Sequence, residues 1–246
     1  MDELYLITGA AGHLGNTLVD KLLELSKNIR VLVLPNERNI PEGNLEVYYG
    51  DVCKKESLAA FFTNPQGKAL KVIHCAGIVS IASKYQKRVY DVNVTGTKNI
   101  VDLCQQHRVN KLVHVSSVHA IPEKPKGETI CEVSQFKPDQ VIGLYAKTKA
   151  EASNYFLAAA KQGLNASVVH PSGILGPFDN SRGHLTTLII DYYKGRLLCG
   201  VNGGYDFVDV RDVADGIIAC CTKGRSGECY ILANKYYSVR EILALL

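Results

Sequence analysis

Tyr145 and Lys149 stand four residues apart in Tyr145-Ala146-Lys147-Thr148-Lys149. On a helix, positions i and i+4 share one face. A phenol with its ordinary pKa near ~10 is a poor base at neutral pH. A neighbouring ammonium favours the phenolate and lowers that pKa. Such a pair can pass a proton to or from a substrate oxygen while a hydride moves to or from a nicotinamide. The spacing alone is common, and an ordinary amphipathic helix produces it equally well. Upstream, Val113-His114-Val115-Ser116-Ser117 reads as a strand that ends in serines. In open α/β sheets ligands bind outside the carboxyl ends of strands, so Ser117 is placed to hold the same oxygen. Ser117, Tyr145 and Lys149 are therefore the candidate catalytic set.

That chemistry needs a bound dinucleotide, and the start of the chain offers a place for one. The first strand runs into Thr8-Gly9-Ala10-Ala11-Gly12-His13-Leu14-Gly15, a GxxGxxG pattern between a strand and a helix. Gly9 permits a tight turn, Gly12 a close approach of pyrophosphate, and Gly15 close packing of helix on strand. The helix N-terminus adds free N–H groups and the positive end of its dipole. Gly9, Ala11, Gly12, His13, Leu14 and Gly15 are the candidate pyrophosphate-binding residues. Three spaced glycines are a weak signal by themselves; their position at the first strand–helix junction makes the signal specific. After the second strand, Pro35-Asn36-Glu37-Arg38 offers an acid for ribose hydroxyls and a base for a 2′-phosphate. NAD and NADP therefore both remain open.

The elements that must position these residues alternate along the chain. Apolar runs at Leu4–Thr8, Ile29–Leu34, Leu45–Tyr49, Lys71–Cys75, Lys111–Ser116 and Ala166–His170 read as strands. Helical periodicity follows most of them, at His13–Leu25, Lys55–Phe62, Tyr90–His107 and Tyr145–Gln162. Continuous apolar strands separated by helices predict a parallel sheet covered on both faces, a doubly wound Rossmann α/β fold. Residues 1–170 form the expected NAD(P)-binding Rossmann domain, and 171–246 a mixed region that completes the fold and forms the substrate side. Pro122–Gln140 reads as a long loop. Beyond Pro171 the pattern loosens into loops and short elements, ending in a helix start with Ser238 as N-cap and Glu241 three residues on. Cys220-Cys221 fall in an apolar helical stretch and belong to the core.

Composition narrows the partners. Apolar residues make up 46% and charged residues 21% of the chain, an ordinary globular balance that argues against disorder. The net charge of +4 is spread thinly, with no basic run longer than Lys54-Lys55 or Lys87-Arg88, so no nucleic-acid partner is expected. No stretch approaches the ~18 apolar residues of a membrane span. The start of the chain lacks a basic segment followed by an apolar one, so no signal peptide is expected. The eight cysteines form no CxxC pair and no zinc-spaced cluster with histidine. A cytoplasmic protein with reduced thiols and no bound metal is the expectation.

Taken in order, the motifs resemble the extended short-chain dehydrogenase/reductase superfamily, which includes NAD-dependent epimerases and dehydratases and dihydroflavonol-reductase-like enzymes. The residues that carry the resemblance are Thr8–Gly15, Gly50-Asp51-Val52, His74-Cys75-Ala76-Gly77, Asn93-Val94-Thr95-Gly96-Thr97, Val115-Ser116-Ser117, Tyr145–Lys149, His170-Pro171-Ser172-Gly173 with Gly176-Pro177, and Asp209–Ala214. They span nearly the whole chain. The resemblance implies Asp51 and Val52 at the adenine, and Cys75, Ala76 and Gly77 on the ribose side. It implies Asn93 beside the lysine or its water, Lys149 on the nicotinamide ribose, and Tyr145 as acid/base next to the cofactor. His170, Pro171 and Ser172 would neighbour the nicotinamide, and Asp209–Asp212 would fix the substrate side. Homodimers through the helix at Tyr90–His107 also follow from the resemblance.

Two departures bear on the reaction. Sugar-nucleotide members often carry Val-Tyr-Gly after the serine, where this chain has Val118-His119-Ala120. Dehydratases carry Asp-Glu at that place, and Val118-His119 cannot supply that acid/base pair. The expectation is thus a carbonyl reductase or alcohol dehydrogenase acting on a small molecule. A nucleotide-sugar epimerase with tightly held NAD is the first alternative and a non-catalytic NAD(P)-binding sensor the second. Family chains are usually longer, which leaves open that part of the substrate side lies past Leu246.

Overall fold

The computed structural model describes residues 2–64, 66–82, 84–125, 127–180, 182–197 and 202–246. Cys199 lies outside these. Strands β1 (Glu3–Thr8), β2 (Asn28–Val33), β3 (Glu46–Tyr49), β4 (Ala69–His74), β5 (Lys111–Val115) and β6 (Ala166–Pro171) pair in parallel. The order across the sheet is β3-β2-β1-β4-β5-β6, and a later strand, β9 (Cys229–Leu232), closes the far edge. β4, β5 and β6 are buried along their whole length, while edge strands β3 and β9 are half-exposed. Continuous apolar runs form these strands because both sheet faces are covered.

The two faces separate by residue parity. Tyr5, Ile7, Ile73, Val113 and Val169 pack under α1 (His13–Glu24) and α6 (Val210–Lys223). Leu6, Val72, Leu112 and Val168 pack under α3 (Thr97–Gln106) and α4 (Leu144–Lys161). Gly15, Leu18, Val19 and Leu22 form the buried stripe of α1 at helical spacing. Each fully buried leucine there contributes about 1.5–3 kcal/mol. Cys220 and Cys221 are buried on α6, as their apolar setting predicts.

Strand order reverses between β1 and β4, which opens a crevice at their carboxyl ends. Two local departures from the expected elements occur beside it. Lys55–Phe62 forms two short 3₁₀ turns, Lys55–Leu58 and Ala60–Phe62, rather than one α-helix. Ser57 Oγ is the physical reason: it donates to the backbone carbonyls of Asp51 and Lys54 and accepts from Asp51 N at 3.0 Å, which tightens the segment. The helix expected at Tyr90–His107 starts at α2 (Lys87–Tyr90) and passes through a π-helical stretch, Asp91–Gly96, before α3.

The loosely patterned C-terminal region is more regular than its sequence suggests. Among the described residues, β7 (Gly173–Leu175), β8 (Gly204–Asp209) and β10 (Lys235–Ser238) form a second sheet, order β10-β8-β7. Helices α5 (His184–Tyr193) and α7 (Val239–Leu243) accompany it. The Ser238–Glu241 capping box is present, with Glu241 N donating to Ser238 Oγ at 3.1 Å and Ser238 N to Glu241 Oε2 at 2.7 Å. Among the described residues no helix is long and apolar enough to cross a membrane.

Candidate active site

The glycine turn does its work through backbone. Gly9 sits at φ +71°, and a Cβ there would meet Ala76 N at 2.6 Å. A Cβ on Gly15 would run into the Gly9 carbonyl. Gly12 differs, because its Cβ would meet only the Gly9 oxygen at 3.4 Å, an ordinary contact. The fold thus requires Gly9 and Gly15, while the space before Gly12 is open. Gly12 is also the N-cap of α1, which has no side-chain cap and no acid in its first turn. An uncapped helix N-terminus behind an open glycine fits a bound pyrophosphate.

A cleft of about 320 Å³ opens in front of this turn. Of the expected cofactor residues, Gly9, Ala11, Gly12, Asp51, Val52, Cys75, Ala76 and Gly77 line it. Asp51 Oδ1 accepts from Cys53 N at 2.9 Å, fixing the loop after β3. Glu37 lines the cleft beyond β2, its Oε1 accepting from the backbone of Arg38 at 2.9 Å and Asn39 at 3.2 Å. His13, Leu14 and Gly15 are not among its walls; the His13 ring bonds the Pro177 carbonyl at 2.8 Å. The sequence reading missed the β2 end at Leu32–Leu34, and Arg88, Asp91 and Val92 from the helix, all of which line the cleft. Leu34 was legible as the residue ending a strand, but the helix residues reach the cleft through tertiary packing alone.

A hydrogen-bonded chain ties the turn to the π-helical stretch. Ala76 N donates to Thr8 Oγ1 at 3.2 Å, and Thr8 bonds His74 Nδ1 at 2.7 Å. His74 Nε2 bonds Thr97 Oγ1 at 3.0 Å, and Thr97 donates to the Asn93 carbonyl at 2.7 Å. Thr97 spends its proton on a carbonyl, so His74 donates from Nε2 and accepts at Nδ1. Burial holds that imidazole neutral, its pKa pushed down to about 3. Asn93 in turn accepts from Ile78 N at 2.8 Å and donates to Ile78 O at 3.0 Å and Thr148 Oγ1 at 3.1 Å. It staples the loop after β4 to α4, beside the lysine rather than on it.

Lys149 lies on the buried stripe of α4 with Ala146, Ala150, Ser153 and Phe156. Its Nζ donates to Val115 O at 2.8 Å, and a Cβ at Gly77 would stand 3.2 Å from it. Burial lowers its pKa to about 8, against a small opposing pull from Cys75. Tyr145, one turn earlier, is half-buried. Burial raises its phenol, and a hydrogen bond from Ser117 draws it down by less. The phenol thus stands above its ordinary value rather than below it, because desolvation outweighs the Ser117 hydrogen bond. At neutral pH the pair stands as a protonated phenol next to a lysine close to its titration point.

Ser117 follows β5 in extended backbone and N-caps the short turn Val118–Ala120, its Oγ accepting from His119 N at 3.2 Å. His170 Nδ1 bonds Ser117 O at 2.9 Å, so that nitrogen carries the proton. His170 Nε2 and Ser172 Oγ are both buried and without a partner. Buried polar atoms are seldom left so, and these two sit at the end of β6, where the resemblance puts the nicotinamide. Pro171 is the last residue of that strand.

A parallel sheet with a switch-point cleft, a glycine turn opening α1, and a serine, tyrosine and lysine gathered at the carboxyl ends of β5 and α4's first turns define an extended short-chain dehydrogenase/reductase. The chain belongs to the NAD dependent epimerase/dehydratase family, whose sequence model matches residues 5–233. It is 31% identical over 245 residues to sterol demethylase protein B of Methylococcus capsulatus, covering 98% of this chain and 73% of that one. A putative dihydroflavonol 4-reductase of Synechocystis is 31% identical over 252 residues, covering 100% of this chain and 72% of its own. The crystal structure of gox2253 superposes with a TM-score of 0.90 at 28% identity, covering 98% of this chain and 73% of that one.

Proposed function

We propose that the protein is an NAD-linked oxidoreductase that interconverts a carbonyl and a secondary alcohol. Bound NAD(H) supplies the hydride chemistry. The protein's own residues handle the oxygen: Ser117 donates a hydrogen bond to it and Tyr145 exchanges its proton with it. Lys149, charged below about pH 8, offsets the phenolate left when Tyr145 gives its proton away. The observation that carries this reading is the buried Lys149, one helical turn from Tyr145, its Nζ donating to Val115 O at 2.8 Å and standing 3.2 Å from where a Cβ on Gly77 would lie. A protonated phenol favours the reducing direction, since reduction must deliver a proton. Glu37 in the cleft wall supports NAD over NADP, because a carboxylate accepts from ribose hydroxyls and repels a 2′-phosphate.

Mass spectrometry of nucleotide released from desalted, denatured protein tests the mode of cofactor use. An empty site that then binds NADH reversibly, and oxidises it with a carbonyl compound, supports a co-substrate and the reductase reading. Stoichiometric NAD surviving desalting moves the assignment to a nucleotide-sugar epimerase that recycles its cofactor in place. Homodimerisation through the helical segment at Tyr90–His107 goes with this reading, and light scattering on the eluting protein checks it.

A further inference from the structure

We propose that His170 is a positioning residue for Ser117: its imidazole grips the serine's main chain from the neighbouring strand and so fixes where the hydroxyl points. The inference rests on the oxidoreductase reading and adds to it the group that holds the serine in place.

The backbone cannot do this alone. Between β5 and β6 the parallel ladder is regular, with Leu112 N donating to Asn165 O at 2.9 Å and Ser116 N to Val169 O at 2.8 Å. The next rung would bring the N–H of residue 171 to the Ser116 carbonyl, but Pro171 has no N–H. The ladder therefore stops just before Ser117, where the chain bends into the short turn Val118–Ala120. His170 Nδ1 supplies a donor one residue further on, to Ser117 O at 2.9 Å. Two other hydrogen bonds at Ser117 come from within its own turn: Ala120 N donates to its carbonyl at 3.0 Å and His119 N to its Oγ at 3.2 Å. Among the described residues the His170 bond alone ties Ser117 to the sheet by a hydrogen bond.

Histidine is a poor choice for this place on packing grounds. The residue is fully buried, with its ring against Phe136 at a centroid distance of 5.1 Å. Burial pushes its pKa down to about 4, so the ring is neutral and carries a single proton, on Nδ1. Nε2 is then a bare acceptor, buried without a partner. A leucine would fill the same space with no unsatisfied nitrogen. What the imidazole offers and a leucine does not is the one bond to Ser117. A reacting group moved by about 1 Å can lose about 10²-fold in rate, so that bond matters to the reaction even though it lies behind it.

The test sets hydrogen bonding against packing. His170→Leu keeps most of the volume and loses the donor. His170→Asn loses volume but places an amide N–H where Nδ1 stood. NADH oxidation with 2,3-butanedione gives kcat and KM, fluorescence titration gives the NADH Kd, and a melting curve gives stability. His170→Leu should lower kcat about 10²-fold with little change in NADH Kd or melting. His170→Asn should recover most of that loss while melting lower. In a Ser117→Ala background His170→Leu should cost almost nothing more, because two residues that act through one hydroxyl are not additive. If His170→Leu fails to fold, His170→Gln replaces it, since its amide reaches the Nε2 position and not the Nδ1 position. Crystal structures of the variants read the same point without turnover: Ser117 should shift in His170→Leu and hold its place in His170→Asn. A kcat that follows the melting temperature, with Asn worse than Leu, overturns the proposal, as does a Ser117 unmoved in His170→Leu. Fully additive losses from His170→Leu and Ser117→Ala remove this inference and leave the oxidoreductase reading standing. Wild-type kcat in Ser117→Ala and Tyr145→Phe removes that reading instead, whatever holds Ser117.

Discussion

At the nucleotide cleft the walls gather at the carboxyl ends of β1, β2 and β4, strands buried along nearly their whole length, and combine the backbone of the glycine turn with charged side chains. In the C-terminal lobe a second cleft is walled by long apolar side chains, and α5 buries none of its residues. Glu37, Asp51, Arg88 and Asp91 line the first cleft, while no formally charged lysine, arginine or carboxylate lines the second among the described residues. The difference is one of rigidity as well as polarity. A site made of backbone turns is fixed by packing behind it, so its geometry survives only if no atom is added. A site made of half-buried side chains tolerates change, because its walls can shift into open space.

The sharpest way to separate the two regions is to remove function from one without touching its fold. Tyr145→Phe deletes one oxygen, and carbonyl reduction should fall by about 10²–10⁴ in kcat/KM with an unchanged melting curve. An equally active variant would remove Tyr145 from the reaction. The pH profile sharpens the same point. Lys149 is charged below about pH 8 and neutral above it, so reduction should decline as pH rises through that value. A reductase rate that is flat from pH 7 to 10 would detach Lys149 from the proton step.

The next test breaks the backbone site through its packing. Gly15→Ala forces a Cβ into the Gly9 carbonyl, where neither partner can move without displacing β1 or α1. A loss of more than about 3 kcal/mol is expected from urea unfolding. Gly203→Ala in the C-terminal lobe has nothing within 4 Å of its new atom and should lose none. Equal costs at the two positions would erase the contrast between the regions.

The same contrast decides what the sequence made legible. The main sheet could be read because strands buried on both faces are continuous apolar runs, as at Val113–Val115 and Ser167–Val169. The candidate catalytic residues could be read because Tyr145 and Lys149 are one helical turn apart, a local relation. The cleft walls at Arg88 and Val92 could not, since only the π-helical stretch and the Asn93–Ile78 staple bring that helix to the cleft. Nor could the raised phenol of Tyr145, because burial, which no spacing records, outweighs the hydrogen bond from Ser117. β7, β8 and β10 escaped for a different reason: strands of three to six residues that are half-exposed carry too little periodicity to register.

Gly12 supplies the smallest and most discriminating effect, because it belongs to the backbone site yet escapes that site's packing. Its Cβ would rest 3.4 Å from the Gly9 oxygen, a normal contact, and Gly12 has no positive φ to protect. Gly12→Ala should therefore fold with stability within about 0.5 kcal/mol of the wild type. The added methyl would instead occupy space that pyrophosphate needs at the α1 N-terminus. NADH affinity, measured by fluorescence titration, should fall at least about tenfold, or 1.4 kcal/mol. If affinity held while stability dropped, Gly12 would belong with Gly9 and Gly15 as a packing glycine, and the open end of α1 would not be where the phosphates lie. Loss of affinity without loss of stability assigns the glycine to the ligand, because the protein alone gives no reason for it.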